Sequence, residues 1–318
     1  MSLPKIHSIS KKICVAVVGG FLLIFLLFHA CANLMILKDD GGAAYGAFCH
    51  FMGSNIIVKL CELVLLATIA LHILLTLWLA VTNRMARPVR YHKAQKSKTH
   101  TTSKFMVWTG VLIIVCLALH FYDFYMVKLG VVKGEYMVKT ENLQDEEMNN
   151  ILQTAAQMQM TPEDMMTAFD EAIAEGATDL NDPETAAYYN NLKSKVSLIS
   201  VLQRAASNGN VSADMKWIHR LSAEDKEAIL DVVPDCGIEP DFYYMAREKF
   251  KRWHIALGYL LFFVILFIHL THAFPSAFQT LGLNNYKYNR AIEICGKIYT
   301  WVVCLGFAVI PIVIFLSE

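Results

Sequence analysis

The sequence predicts an all-α integral membrane protein: a bundle of five transmembrane helices, with an acidic, mainly helical extracytoplasmic insert between helices 3 and 4. Three observations predict it. The chain is 55% apolar with a mean hydropathy of +0.40, and that hydrophobicity is gathered into blocks rather than spread evenly. Five blocks run for a membrane's width without a charged side chain. The acidic residues are concentrated in one stretch, between the third block and the fourth.

The blocks are residues 13–37, 63–81, 105–122, 253–278 and 298–316, which are 25, 19, 18, 26 and 19 residues long. A hydrocarbon core takes about 20 helical residues, so each block can span it. Unpaired backbone amides are too costly in lipid, and segments this short satisfy their own hydrogen bonds only as helices. The first block exceeds a secretory signal's apolar region and lacks a small-residue cleavage site, so it reads as a retained helix.

Basic residues near the span ends set the orientation, because lysine and arginine are retained on the cytoplasmic side. Lys5, Lys11 and Lys12 precede helix 1. Arg84, Arg87, Arg90, Lys93, Lys96, Lys98 and Lys104 lie between helices 2 and 3, and Lys287, Arg290 and Lys297 between helices 4 and 5. The N-terminus is therefore expected in the cytoplasm, with the insert and the C-terminus outside. The expected order is residues 1–130 with helices 1 to 3, the insert over 131–250, and 251–318 with helices 4 and 5.

The formal net charge of zero hides a segregation. The insert holds 22 of 28 acidic residues but 10 of 28 basic ones, a net −12 that leaves +12 elsewhere. A basic cytoplasmic face suits anionic lipid or an acidic partner. Within the insert, Thr161-Pro162-Glu163-Asp164 reads as an N-cap followed by proline at the first helical position, and Ser222-Ala223-Glu224-Asp225 as a second acidic helix start. No repeat, phosphate loop or nucleic-acid motif is present, and the topology accounts for the basic loops. Eight cysteines include no CxxC or CxxCH, which argues against covalent c-type haem. Cys49 and Cys236 both fall on the outer side, where they could pair.

The histidines carry the chemistry. Four of the five spans hold one deep inside: His29, His72, His120 and His269. Polar groups inside a membrane are functional candidates by default. Helices 1 and 3 run outward and helices 2 and 4 inward, which puts His29 and His120 in the outer half and His72 and His269 in the inner half. Two histidines facing each other across a bundle are the axial ligands that a six-coordinate b haem needs, so two pairs imply two stacked haems. Their irons would lie about 10–15 Å apart from the helical rise. Zinc would prefer its ligands gathered at one depth. His272, one turn from His269, is the rival for the fourth ligand. Gly19, Gly110 and Gly258 precede His29, His120 and His269 by ten, ten and eleven residues, leaving room for a planar guest or for close helix packing. Two carboxylates are candidates for proton-coupled chemistry near the outer pair: Glu62 at the outer end of helix 2, and Asp123, three residues after His120.

Four stretches in order resemble a known family: LLFHACANL, ALHILLTLWLAVTNRMARPVRYHK, SKFMVWTGVLIIVCLALHFYDFY and FIHLTHAFPSAFQTLGLNN. They are similar to the dihaem, single-polypeptide cytochrome b subunit of succinate dehydrogenases and fumarate reductases. The resemblance implies that His29 and His120 bind the distal haem and His72 and His269 the proximal one, and it selects His269 over His272. It also implies a bacterial inner membrane, electron exchange with quinone (menaquinone in dihaem members), and a flavoprotein subunit and an iron–sulfur subunit on the cytoplasmic face. A dimer of trimers is compatible with the family. The chain departs from it at Gly53 and Phe267, where some members carry acids, and in the length of the insert. Two other functions fit the same histidines. One is the cytochrome b of another membrane oxidoreductase; the other is a non-haem transporter or sensor with histidine proton sites.

Overall fold

A computed structural model describes residues 8–86, 101–143, 146–176, 181–212 and 215–317. Five helical stretches are long and apolar enough to cross a membrane, the architecture of a multi-pass membrane protein: Ile9–Leu37, Ile56–Met85, Phe105–Lys128, Trp253–Thr280 and Asn289–Ser317. Each exceeds its predicted charge-free block at one or both ends, because polar residues at the block margins continue the helix. Glu62 and Arg84 both lie within the second stretch. Most of the basic segment between helices 2 and 3, with Arg87, Pro88, Arg90, Lys93, Lys96 and Lys98, lies outside the described residues, as does Lys5.

The chain forms two compact units: one of residues 1–38, 51–123 and 247–318, the other of 39–50 and 124–246. The first contains the long helices α1 (Ser8–Asn33), α3 (Ile56–Met85), α4 (Thr101–His120), α11 (Trp253–Thr280) and α12 (Asn289–Ser317). Helix α11 is its hub, packing against α12, α4 and α1, while α3 packs mainly on α1. The shared core joins Ala30, Phe263, Leu266, Leu270, Val303, Cys304 and Phe307. Elsewhere the surface is apolar. No residue of α3 is buried, although the helix is rich in leucine, and Leu63 and Leu74 are each 66% exposed. A helix that is apolar all round and still uncovered needs an apolar solvent, and lipid supplies it. Lys11 of α1 lies 3.9 Å over the Trp78 ring near the far end of α3, as expected for two helices running in opposite directions. Pro275 and Pro311 sit inside α11 and α12, an arrangement membrane helices tolerate.

The second unit begins with the first half of α2 (Ala43–Ser54) and continues through α5 (Met126–Lys128), α6 (Glu146–Gln157), α7 (Pro162–Ala174), α8 (Pro183–Ser207), α9 (Ala223–Val232) and most of α10 (Phe242–Phe250). Both predicted helix starts are present as capping boxes. Thr161 and Asp164 bond reciprocally at the start of α7, with Pro162 in the first turn, and Ser222 and Asp225 do the same at α9. The unit also holds a three-stranded antiparallel sheet, absent from the sequence-based expectation, in the order β2 (Trp217–Leu221), β1 (Tyr136–Lys139), β3 (Glu239–Pro240). Strands of two to five residues are too short to show alternation, and their partners lie about 80 to 100 residues away along the chain. Sheet and helices enclose a core that includes Val138, Leu198, Ile218, Leu221 and Ile229. All eight cysteines are free thiols, so Cys49 and Cys236 do not pair. Burial pushes the Cys49 thiol up to about 12.

Asp241 ties this unit together from an interior position. It is fully buried, its Oδ2 lies 2.9 Å from His219 Nδ1 and accepts the Arg220 amide at 3.1 Å, and its Oδ1 accepts the Tyr244 amide at the start of α10. One carboxylate thus joins β2 to the start of α10. Asp241→Ala leaves the His219 ring and two amides without partners and is expected to destabilise the unit by about 3–5 kcal/mol, read as a lower midpoint in denaturant unfolding. Asp241→Asn, which keeps part of the bonding, should lose less.

The exposed caps supply a pH dependence of known sign. The Thr161 hydroxyl and amide hold the Asp164 carboxyl below its ordinary value of 3.8, and the Thr185 hydroxyl and amide do the same for Asp182 at the start of α8. Their contribution is complete above pH 3.8 and is lost as pH falls through the depressed values. Amide exchange in the first turns of α7 and α8 should therefore accelerate below pH 3.8. Thr161→Ala, which removes the hydroxyl and keeps the amide bond, should weaken that dependence in α7 alone.

Candidate functional site

The four intramembrane histidines come from four helices of the first unit: His29 on α1, His72 on α3, His120 on α4 and His269 on α11. They meet in two pairs. The imidazoles of His29 and His120 stand with ring centroids 6.0 Å apart and planes at 79°. His72 and His269 are near enough to interact electrostatically.

Two glycines define the spacing of the levels. A Cβ on Gly19 would lie 3.4 Å from His72 Cε1, and one on Gly110 would lie 3.7 Å from His269 Cε1. Each glycine therefore faces the histidine pair of the other level, rather than widening the space beside the histidine that follows it on its own helix. Gly258, expected to act with them, has open space around it. Ten residues separate Gly19 from His29, and Gly110 from His120, which sets the two levels about 15 Å apart at the helical rise.

Each level has its own surroundings. Around the outer pair, Phe25 stacks on His29 at 5.3 Å, Phe307 stands 5.7 Å from the same ring, and Phe121 and Tyr259 flank His120. The Asn33 side-chain amide donates to His29 O at 2.7 Å and lies 3.3 and 3.4 Å from the two ring nitrogens, so it favours neither tautomer. At the inner level, Thr109 Oγ1 lies 3.1 Å from His269 Nδ1, while His72 Nδ1 is a buried nitrogen with no hydrogen-bond partner among the described residues. His272 lies close enough to act on His269, and His254 is exposed beside Trp253.

The two candidate carboxylates differ in setting. Asp123 sits in a single π turn, Phe121–Tyr125, directly after α4, and such turns recur at functional sites. Its Oδ1 accepts a bond from Lys249 Nζ at 2.7 Å and its Oδ2 one from the Tyr259 hydroxyl at 3.2 Å. Tyr259 in turn packs edge-on against His120 at 6.3 Å. Glu62 is half-buried on α3, ten residues before His72. That offset puts it level with the outer pair, since α3 runs back along α1. Sequence reasoning missed Lys249, Tyr259, Asn33 and Thr109. The last two are polar residues inside or at the edge of apolar spans, a signal that could have singled them out.

Among the described residues, no group of three or more His, Cys, Asp or Glu gathers to hold a metal ion. The bundle instead offers paired imidazoles at two depths, apolar and aromatic cover, and one hydrogen-bonded carboxylate at the edge of the outer pair. No family model, curated protein or solved structure matches the chain.

The Asp123–Lys249 pair is only partly covered, with side chains 20% and 27% exposed, which limits its worth. Lys249→Met should cost about 1–2 kcal/mol in thermal unfolding, because it leaves a carboxylate with a phenol as its remaining partner. Adding Asp123→Asn to that variant should restore part of the loss.

Proposed function

We propose that this chain is the quinone-reactive, membrane-anchoring cytochrome b subunit of a succinate dehydrogenase or fumarate reductase. One b haem would be held by His29 and His120 and a second by His72 and His269. The observation that carries this reading is the facing pair His29 and His120, with His72 and His269 close to each other about 15 Å away along the same helices. An iron bonded to two imidazoles at about 2 Å each holds their centroids on the order of 6 Å apart, close to the 6.0 Å between His29 and His120. A buried nitrogen at His72 without a hydrogen-bond partner among the described residues, and glycines beside the His72 and His269 rings, also suit a bulky planar ligand.

When bound, the two haems supply one-electron chemistry across the thickness of the membrane. The chain's own residues do the rest. Phe25, Phe307 and Tyr259 exclude water from the outer pair. The Lys249 ammonium gives one of its three hydrogens to Asp123 and can offer another to a quinone oxygen near His120, while the Tyr259 hydroxyl spends its single proton on Asp123. Glu62, level with the outer pair, is the second group positioned for the protons that quinone chemistry moves. Flavin and iron–sulfur chemistry would belong to partner subunits on the basic cytoplasmic face, with the acidic insert outside the inner membrane of a bacterium. Menaquinone is the quinone that the sequence resemblance favours.

A reduced-minus-oxidised spectrum with pyridine haemochrome quantification on the purified protein tests this. Two b haems per chain are expected. His29→Ala and His120→Ala should each remove one haem, and His72→Ala and His269→Ala the other. Well-folded protein without a Soret band would overturn the reading in favour of a non-haem transporter or sensor. In the assembled complex, Glu62→Gln and Asp123→Asn should slow quinol-linked turnover while leaving both haems in place; unchanged turnover removes that carboxylate from the mechanism.

A further inference from the structure

We infer that Thr109 is a positioning residue for His269: it fixes the tautomer of that ring and sets the electron-donating power of the inner histidine pair apart from that of the outer one. The inference deepens the two-haem reading and rests on it. Thr109 is 7% exposed, and its hydroxyl stands at the meeting of two bonds, one to Met106 O at 3.0 Å and one to His269 Nδ1 at 3.1 Å. A hydroxyl has one proton. With that proton donated to the Met106 carbonyl on its own helix, Oγ1 meets His269 as an acceptor, and His269 Nδ1 carries the hydrogen. The lone pair then lies on Nε2, the nitrogen free to bind iron.

Neighbouring residues make this contact selective. Gly110, the next residue, lies against the same ring, where a Cβ would stand 3.7 Å from His269 Cε1, so this stretch of α4 packs directly on the histidine of α11. His72 Nδ1 has no hydrogen-bond partner among the described residues, and the Asn33 amide is nearly equidistant from both nitrogens of His29. A ligand imidazole that donates its remote N–H to an acceptor is a more basic ligand, which favours the oxidised metal. Thr109 therefore lowers the midpoint potential of the inner haem and leaves the outer one alone.

The test is a redox titration of purified protein carrying Thr109→Val, an isostere that keeps the packing and removes the bond, with Thr109→Ser as the conservative control. His29→Ala protein identifies which potential belongs to the inner haem. Thr109→Val should shift the inner potential upward and leave the outer one in place. Haem should leave the inner level about tenfold faster or more, and Thr109→Ser should restore both properties. If Thr109→Val does not accumulate, Thr109→Ala carries the same comparison. Two haems with unshifted potentials in the variant, or an equal shift of both, would overturn the role of Thr109 while leaving the cytochrome reading intact. Absence of haem from the parent protein overturns both together.

Discussion

An imidazole inside an apolar bundle must find a partner for each of its two nitrogens, and this requirement governs the membrane part of the chain. Water is not there to help, and an unpartnered polar group in a low-dielectric interior costs several kcal/mol. The chain answers locally where it can. His269 has the Thr109 hydroxyl, and the Asn33 amide lies 3.3 and 3.4 Å from the two ring nitrogens of His29. Among the described residues His72 Nδ1 is buried without a hydrogen-bond partner, and the rings of His29 and His120 stand 6.0 Å apart. An interior that was merely packed would fill these positions with leucine. Leaving them polar and in register across four helices is a cost that a shared ligand would offset.

Helix α11 turns this local requirement into an architecture. It touches α1, α4 and α12, so one helix brings His269 to Thr109, Tyr259 to His120 and Asp123, and Phe263 onto Phe307 at 5.5 Å. Tyr259 and His269 are ten residues apart, the same interval as Gly19 to His29 and Gly110 to His120. The two levels are therefore written three times, on three helices, at the same spacing. A glycine on α1 or α4 faces the inner pair, and a histidine ten residues on joins the outer one. Close approach at one level and a histidine at the other follow from the same helical repeat.

The second unit obeys the opposite solvent. Its helices begin at acidic caps that water and backbone amides satisfy together, and its core is closed by short strands and by Asp241, whose buried carboxylate is matched by a ring nitrogen and two amides. Net charge concentrates here because charged side chains are inexpensive at a wet surface and costly in the spans.

The sequence by itself determined the spans and the helix starts, and it assigned each of the four histidines an expected depth. Each rests on information within one helix: twenty apolar residues must close their own hydrogen bonds, Thr161-Pro162-Glu163-Asp164 caps itself, and depth follows from counting residues along a rod whose direction alternates. The tertiary structure alone decided what the side chains touch. Thr109 meets His269 across 160 residues, Lys249 meets Asp123 across 126, and β1 finds β2 across the greater part of the insert. Gly19 proved to serve His72 on another helix, and Gly258 serves no ring. Depth is a property of one helix, whereas facing depends on how two helices rotate against each other, and that rotation is fixed by packing between segments remote in the chain.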